Sequence, residues 1–246
     1  MRAGVFDSGV GGLSVLKSLI NAKLFDEIIY YGDTARVPYG VKDKQTIIRF
    51  SLEALDFFKP HNIDILIVAC NTVSAYALEE MQKHSKIPIV GVIEPGVLAV
   101  QNKLKDTDSE ILILATRATI NSGEYETRLR NIGFWNLKSL ATGLFVPLVE
   151  EGLLEGAVLE SVFDYYFSNF TNPPKGIILG CTHFPLIADA LSAYFNNQSV
   201  LIHSGEAIVE YLETHLQLHT QYPLKSLQFF ASDNTASLTK IAQKWL

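Results

Sequence analysis

Nine short runs rich in β-branched and aromatic residues recur along the chain, and between most of them the apolar residues fall at helical spacing. The runs are Arg2 to Phe6, Glu27 to Tyr31, Ile63 to Ala69, Ile87 to Ile93, Glu110 to Ala115, Leu137 to Ala141, Gly176 to Leu179, Val200 to His203 and Ser226 to Ala231. Ile47, Phe50, Ser51, Ala54, Leu55 and Phe58 show the other pattern. Residues three and four apart share one face of a helix, so this set predicts an amphipathic helix with one buried face. Strand then helix, repeated throughout, builds a parallel sheet with crossover helices, and the fold class is α/β. With 246 residues, 48% of them hydrophobic, there is enough apolar material for one large domain or two compact ones, and disordered or collagen-like architectures are excluded.

Laid over itself at an offset of about 110 residues, the chain repeats several features together. Asp7, ending the first run, falls opposite Thr116, which ends Glu110 to Ala115. Val37-Pro38 falls opposite Val146-Pro147, and Cys70, after Ile63 to Ala69, opposite Cys181, after Gly176 to Gly180. βα units resemble one another at any offset, but three coincident features predict two similar lobes in a pseudo-two-fold relation, each a mainly parallel sheet flanked by helices. Turn residues at Ile93-Glu94-Pro95-Gly96 and His203-Ser204-Gly205 place the boundaries. One lobe is then residues 1–93 plus 204–246, carrying Asp7 and Cys70; the other is 94–203, carrying Glu150, Cys181 and His183. Ligands of open α/β sheets bind outside the carboxyl ends of the strands, so facing lobes would aim Asp7, Cys70, Thr116 and Cys181 into one inter-lobe cleft.

Twenty Lys and Arg against 26 Asp and Glu leave a net charge of −6, which gives no general attraction for nucleic acid or an anionic membrane. The start of the chain lacks the cationic and apolar regions of a secretory signal. The longest apolar stretch, Ile63 to Cys70, is broken by Asp64 and falls far short of the roughly 20 residues that span a bilayer. A cytoplasmic protein with reduced cysteines is expected.

Asp7-Ser8-Gly9-Val10-Gly11-Gly12 opens the first helix, but Ser14 stands where a dinucleotide fingerprint needs its third glycine. The loop reads either as an anion nest, with backbone N–H groups facing a phosphate or carboxylate, or as a tight βα turn. Cys70-Asn71-Thr72 precedes a helix expected near Val73, where the helix N-terminus would favour a thiolate and lower the thiol pKa below about 8.5. Gly180-Cys181-Thr182-His183 has the same layout, with His183 as a proton-transfer partner. A lone cysteine in an α/β core is usually a small buried hydrophobe, but two at equivalent strand ends, each followed by polar residues, point to chemistry. Three uses are open. Metal binding lacks closely spaced further ligands beyond His183. A redox disulfide would require strand ends 111 residues apart in sequence to meet. In acid/base catalysis, one thiolate would remove a proton from carbon and a thiol on the opposite face return one.

Gly4 to Gly12, Val37-Pro38-Tyr39-Gly40, Ala69-Cys70-Asn71-Thr72, Gly91-Val92-Ile93-Glu94-Pro95 and Gly180-Cys181-Thr182-His183-Phe184-Pro185 together resemble the bacterial glutamate racemases, in family order over most of the chain. The resemblance implies cofactor-independent interconversion of L- and D-glutamate, the D-form serving peptidoglycan, in a cytoplasmic homodimer. It implies Cys70 as the base for D-glutamate and Cys181 for L-glutamate, assisted by Asp7 and His183, with Glu150 as a further acidic site residue. It implies substrate contacts at Asp7, Ser8, Tyr39, Gly40, Asn71, Thr72, Thr182 and His183, with Thr116 and Thr119 added. Val73, Ala115 and His203 depart from the family pattern, where alanine, glycine and aspartate are usual. Members activated by a cell-wall precursor resemble this chain plus an N-terminal extension, so no activation by a UDP-linked muramyl peptide is expected.

Three other readings compete. A relative acting on aspartate shares lobes and cysteines, but the Val37 to Gly40 and Gly180 to Pro185 blocks favour glutamate. A two-lobed solute-binding protein would need an export signal and no paired thiols. Pyridoxal-dependent racemisation needs a Schiff-base lysine, and Lys17, Lys42 and Lys59 read as solvated or helix-face residues.

Overall fold

The computed structural model describes residues 1–246. In chain order the first part contains β1 (Arg2–Asp7), α1 (Leu13–Ala22), β2 (Glu27–Gly32), α2 (Lys44–Phe58), β3 (Ile65–Val68), α3 (Asn71–Tyr76), α4 (Leu78–Lys83), β4 (Ile89–Gly91) and α5 (Ile93–Lys103). The next contains β5 (Ile111–Ala115), α6 (Arg117–Ser122), α7 (Glu124–Asn131), β6 (Leu137–Ala141), α8 (Phe145–Glu150), α9 (Ala157–Phe167), β7 (Gly176–Gly180), α10 (Ala188–Tyr194) and β8 (Val200–His203). The chain ends with α11 (Ser204–Thr214), β9 (Ser226–Ala231) and α12 (Thr235–Trp245).

The strands form two sheets, ordered β4-β3-β1-β2-β9 and β6-β5-β7-β8, with every pairing parallel. Their shared pattern is one topology used twice, with β1, β2, β3 and β4 answering to β5, β6, β7 and β8, and with β9 added outside β2. Each sheet is covered on both faces, which is why its strands read as continuous apolar runs rather than as alternating ones. Ala3, Val5, Ile28, Tyr30, Ile65 and Ile67 pack on one face of the first sheet, while Phe6, Ile29, Tyr31, Leu66 and Val68 pack on the other. Leu112, Leu114, Ile177 and Leu179 against Ile111, Ile113 and Ile178 make the same division in the second sheet. No helix is long and apolar enough to cross a membrane.

The ladders correct the internal alignment by one residue at its start. Phe6 pairs with Val68 and Leu114 with Leu179, each rung two residues before its cysteine. Ser8, not Asp7, is therefore the counterpart of Thr116. The expected turn at Ile93-Glu94-Pro95-Gly96 is instead the start of α5. Proline fits there because the N–H groups of a first helical turn have no intrahelical partner. The expected strand Ile63 to Ala69 is trimmed to β3, and Ile87 to Ile93 to β4. The helix after Cys70 begins at Asn71, whereas Cys181 leads into a turn and a 3-10 segment, Phe184–Ile187.

Helix α11 packs against both α1 and α5. Ile208 and Leu212 join the first sheet's core, and Ala207 joins the core beside α5. Of the residues departing from the family pattern, Val73 and Ala115 are fully buried. His203 precedes α11 without capping it, and its Nε2 lies 2.9 Å from Glu206 Oε1.

Candidate active site

The carboxyl ends of the two sheets line one small cavity of about 40 Å³. The first sheet contributes Ser8 after β1, Tyr39 and Gly40 after β2, and Cys70, Asn71 and Thr72 after β3. The second contributes Thr116 after β5, Glu150 at the end of α8, and Cys181, Thr182 and His183 after β7. Two expected residues do not line the cavity. Asp7 is fully buried behind it, its Oδ2 accepting from the Gly9 N–H at 2.9 Å and its Oδ1 from the Thr182 hydroxyl at 3.4 Å. Thr119 is buried at the base of the Thr72 and Thr116 side chains, with its hydroxyl 3.0 Å from each of theirs. Val37, Pro38, Val146 and Gly180 line the cavity but were not expected to. Val37-Pro38 stands in the sequence as part of a block resembling the racemases and as the match to Val146-Pro147, with no site role attached.

The two thiols face different surroundings. Cys70 is buried, with Sγ 3.4 Å from Ser8 Oγ. Burial, with the Asp7 carboxylate behind it, pushes its pKa up to about 12. The expectation of a depressed value is overturned: the one N–H contribution, from Val73, is outweighed by removal from water. Across the cavity, Cys181 Sγ lies 3.7 Å from His183 Nδ1, and His183 Nε2 lies 3.0 Å from Glu150 Oε1. Burial opposes charge on this imidazole, but bonding to Cys181 and Glu150 wins and raises its pKa to about 10. An imidazolium donates from both nitrogens, so His183 meets the sulfur with Nδ1–H and the carboxylate with Nε2–H. A cation thus faces one sulfur, while the other is held as a neutral thiol.

Neutral donors fill the space between. Thr116 caps α6 and also meets Thr72 Oγ1 at 2.9 Å across the two sheets. Asn71 is held on both sides: its Oδ1 accepts from the Tyr125 hydroxyl at 2.7 Å and its Nδ2 donates to Ser204 Oγ at 3.2 Å. Asp33, fully buried, accepts from the Tyr39 hydroxyl and, at 2.7 Å, from Arg36 Nε, and so fixes the turn that carries Tyr39 and Gly40. Neither Asp33 nor Tyr125 was expected from sequence. Glycine brings the halves close, since a Cβ on Gly40 would stand 2.5 Å from Thr116 Cβ and one on Gly11 2.3 Å from Thr182 Oγ1. No lysine lines the cavity; Lys17 is exposed on α1, bonding the Trp245 carbonyl, and Lys59 is exposed beside Asp56. The arrangement offers a base and an acid on opposite walls, with uncharged donors around a small, carboxylate-bearing carbon acid.

A family model described as Asp/Glu/hydantoin racemase matches residues 13–212. A glutamate racemase from a Nitratiruptor species is 59% identical over 246 residues, covering 100% of this chain and 96% of its own. The crystal structure of glutamate racemase from Campylobacter jejuni subsp. jejuni superposes with a TM-score of 0.98 at 57% identity, covering 100% of this chain and 98% of that one. The glutamate racemase of Francisella tularensis subsp. tularensis, solved in complex with D-glutamate, gives a TM-score of 0.87 at 32% identity, covering 100% and 93%.

Proposed function

The chain belongs to the Asp/Glu/hydantoin racemase family, and from that premise we propose that it interconverts L- and D-glutamate at Cα with its own two thiols and no cofactor. The observation that carries the reading is the pair of buried cysteines at equivalent strand ends of two sheets, opening on one cavity. With the cationic His183 beside its sulfur, Cys181 is the base that takes the Cα proton of L-glutamate. Cys70, held protonated, delivers a proton to the opposite face and yields D-glutamate. The reverse reaction uses Cys70 as the base. Asp7 assists there through its own proton: burial raises its pKa, and a neutral Asp7 removes the repulsion that opposes a Cys70 thiolate.

The Cα proton of an amino acid is a very weak acid, so the developing carbanion needs preorganised donors. Ser8, Thr72 and Thr116 hydroxyls and the Asn71 amide supply them, and the loss of one such donor typically costs ~10²–10³ in rate. Glu150 keeps His183 oriented and charged. Enantiomers have equal free energies in water, so kcat/KM must be the same in both directions, whatever the asymmetry of the thiols. The proposed product feeds peptidoglycan synthesis. Because the mechanism needs two free thiols, it suits a reducing cytoplasm. We assign residues 1–93 with 204–246 to one lobe and 94–203 to the other, and expect a homodimer.

The test follows optical rotation of L-glutamate, D-glutamate and L-aspartate with no added cofactor. Both glutamate enantiomers should decay to zero rotation, while Cys70→Ala and Cys181→Ala each retain the far-ultraviolet dichroism of the native chain and lose the decay. In heavy water, deuterium should enter the product enantiomer ahead of the supplied one. Persistence of activity without either cysteine sinks the two-base account, and faster decay of aspartate would move the substrate assignment within the family.

A further inference from the structure

Tyr125 joins the two cysteine-bearing segments although it lies on neither. It is the second residue of α7 and only 3% exposed. Its hydroxyl donates to Asn71 Oδ1 at 2.7 Å, and Asn71 directly follows Cys70. Its ring sits against Gly180, which directly precedes Cys181: a Cβ at Gly180 would stand 3.3 Å from ring Cε2, and one at Gly96 3.3 Å from Cε1 and Oη. Glycine at both positions leaves room for the ring to pack against these two stretches of backbone, which fixes where the hydroxyl points.

The consequence falls on the Asn71 amide. A side-chain amide has one carbonyl oxygen and two N–H donors, and its rotation is set by its partners. The Tyr125 hydroxyl, with a pKa raised by burial, stays protonated and donates to Oδ1. Ser204 Oγ, at the start of α11, accepts a hydrogen bond from one Nδ2–H, with N and O 3.2 Å apart. The second Nδ2–H is left for the cavity that Asn71 lines.

We propose that Tyr125 is a positioning residue for glutamate racemisation: it locks the Asn71 amide with one N–H aimed at the bound carboxylate, completing the Cys70 half of the site from the opposite sheet. This rests on the function proposed above. Tyr125 touches no substrate and acts only through Asn71.

The test is a double-mutant cycle on the full chain, with kcat and KM measured from both enantiomers. Tyr125→Phe keeps the ring and removes the donor. It should raise the KM for glutamate roughly tenfold, the scale of one buried hydrogen bond to a binding group, with kcat within about twofold. In an Asn71→Ala background, Tyr125→Phe should change KM by less than about twofold, because its only route of action is gone. Ser204→Ala is the second arm and serves if Tyr125→Phe does not fold: it frees the other end of the amide and should raise KM in the native background but not in Asn71→Ala. Equal effects of either substitution with and without Asn71, as a merely structural role would give, overturn the inference, as does an unchanged KM in the single variants. If the native chain itself leaves glutamate rotation constant, the underlying reading fails first and this one with it.

Discussion

At the scale of single residues, the two thiols differ in their surroundings. Cys70 and Cys181 both follow the third strand of a sheet and both are buried, yet only Cys181 has an imidazole within reach. The difference is open to direct measurement. In Cys181→Ala, where Cys70 is the only thiol, iodoacetamide alkylation at pH 8 should run roughly a hundredfold slower than for a free cysteine. The sign follows from burial: the pKa is raised to about 12, so the reactive thiolate is scarce at pH 8 and the rate should still be climbing at high pH. A plateau below pH 9 would contradict the assignment. The cysteines and their polar followers were legible in the sequence because residue type and strand-end position suffice to mark them. The rise at Cys70 was not legible, since a helix N-terminus argues for a lower pKa and only the packed structure shows how little water reaches the sulfur.

At the scale of elements, turns built on small residues set how closely the two sheets approach. Gly40 lies in a short 3-10 segment, Tyr39–Val41, pinned by Asp33 through Tyr39 and faced by Thr116 from the other sheet. A Cβ at Gly40 would push Thr116 out of place in the cavity wall, so Gly40→Ala should lower kcat/KM by roughly 10- to 100-fold. The same overpacking costs about 1–3 kcal/mol of stability, so the thermal midpoint should fall by several degrees as well. Equal activity would mean that Thr116 moves aside freely. Strand existence was readable throughout, because runs buried on both faces are apolar and β-branched. Element ends were less so: Glu94-Pro95-Gly96 carries the residues of a turn, yet Val97, Ala99 and Val100, on the buried side of α5, hold the segment helical from Ile93.

At the scale of the whole molecule, α11 ties the two cores together. Ile208 is fully buried in the first sheet's core on a helix that also packs against α5. Truncating such a side chain costs about 2–5 kcal/mol. For a chain of this size that is a drop of roughly 5–15 °C in Tm. Calorimetry of Ile208→Ala should show one transition moved down as a unit. Two separated peaks would mean that the sheets unfold independently and that α11 does not couple them.

The sequence by itself determined the class of fold, the doubling of the chain and the pair of cysteines, because hydrophobic period and residue chemistry are local properties that survive without coordinates. Tertiary structure alone decided which strand residues answer one another, why Ser8 rather than Asp7 matches Thr116, and that Asp7 and Thr119 sit behind the cavity instead of in it. It alone paired His183 with Glu150, and Tyr125 and Ser204 with Asn71. Those partners lie 33, 54 and 133 residues apart along the chain, and no local pattern encodes a contact made only when distant segments pack together. Burial, which raises the Cys70 pKa, is likewise a property of that packing.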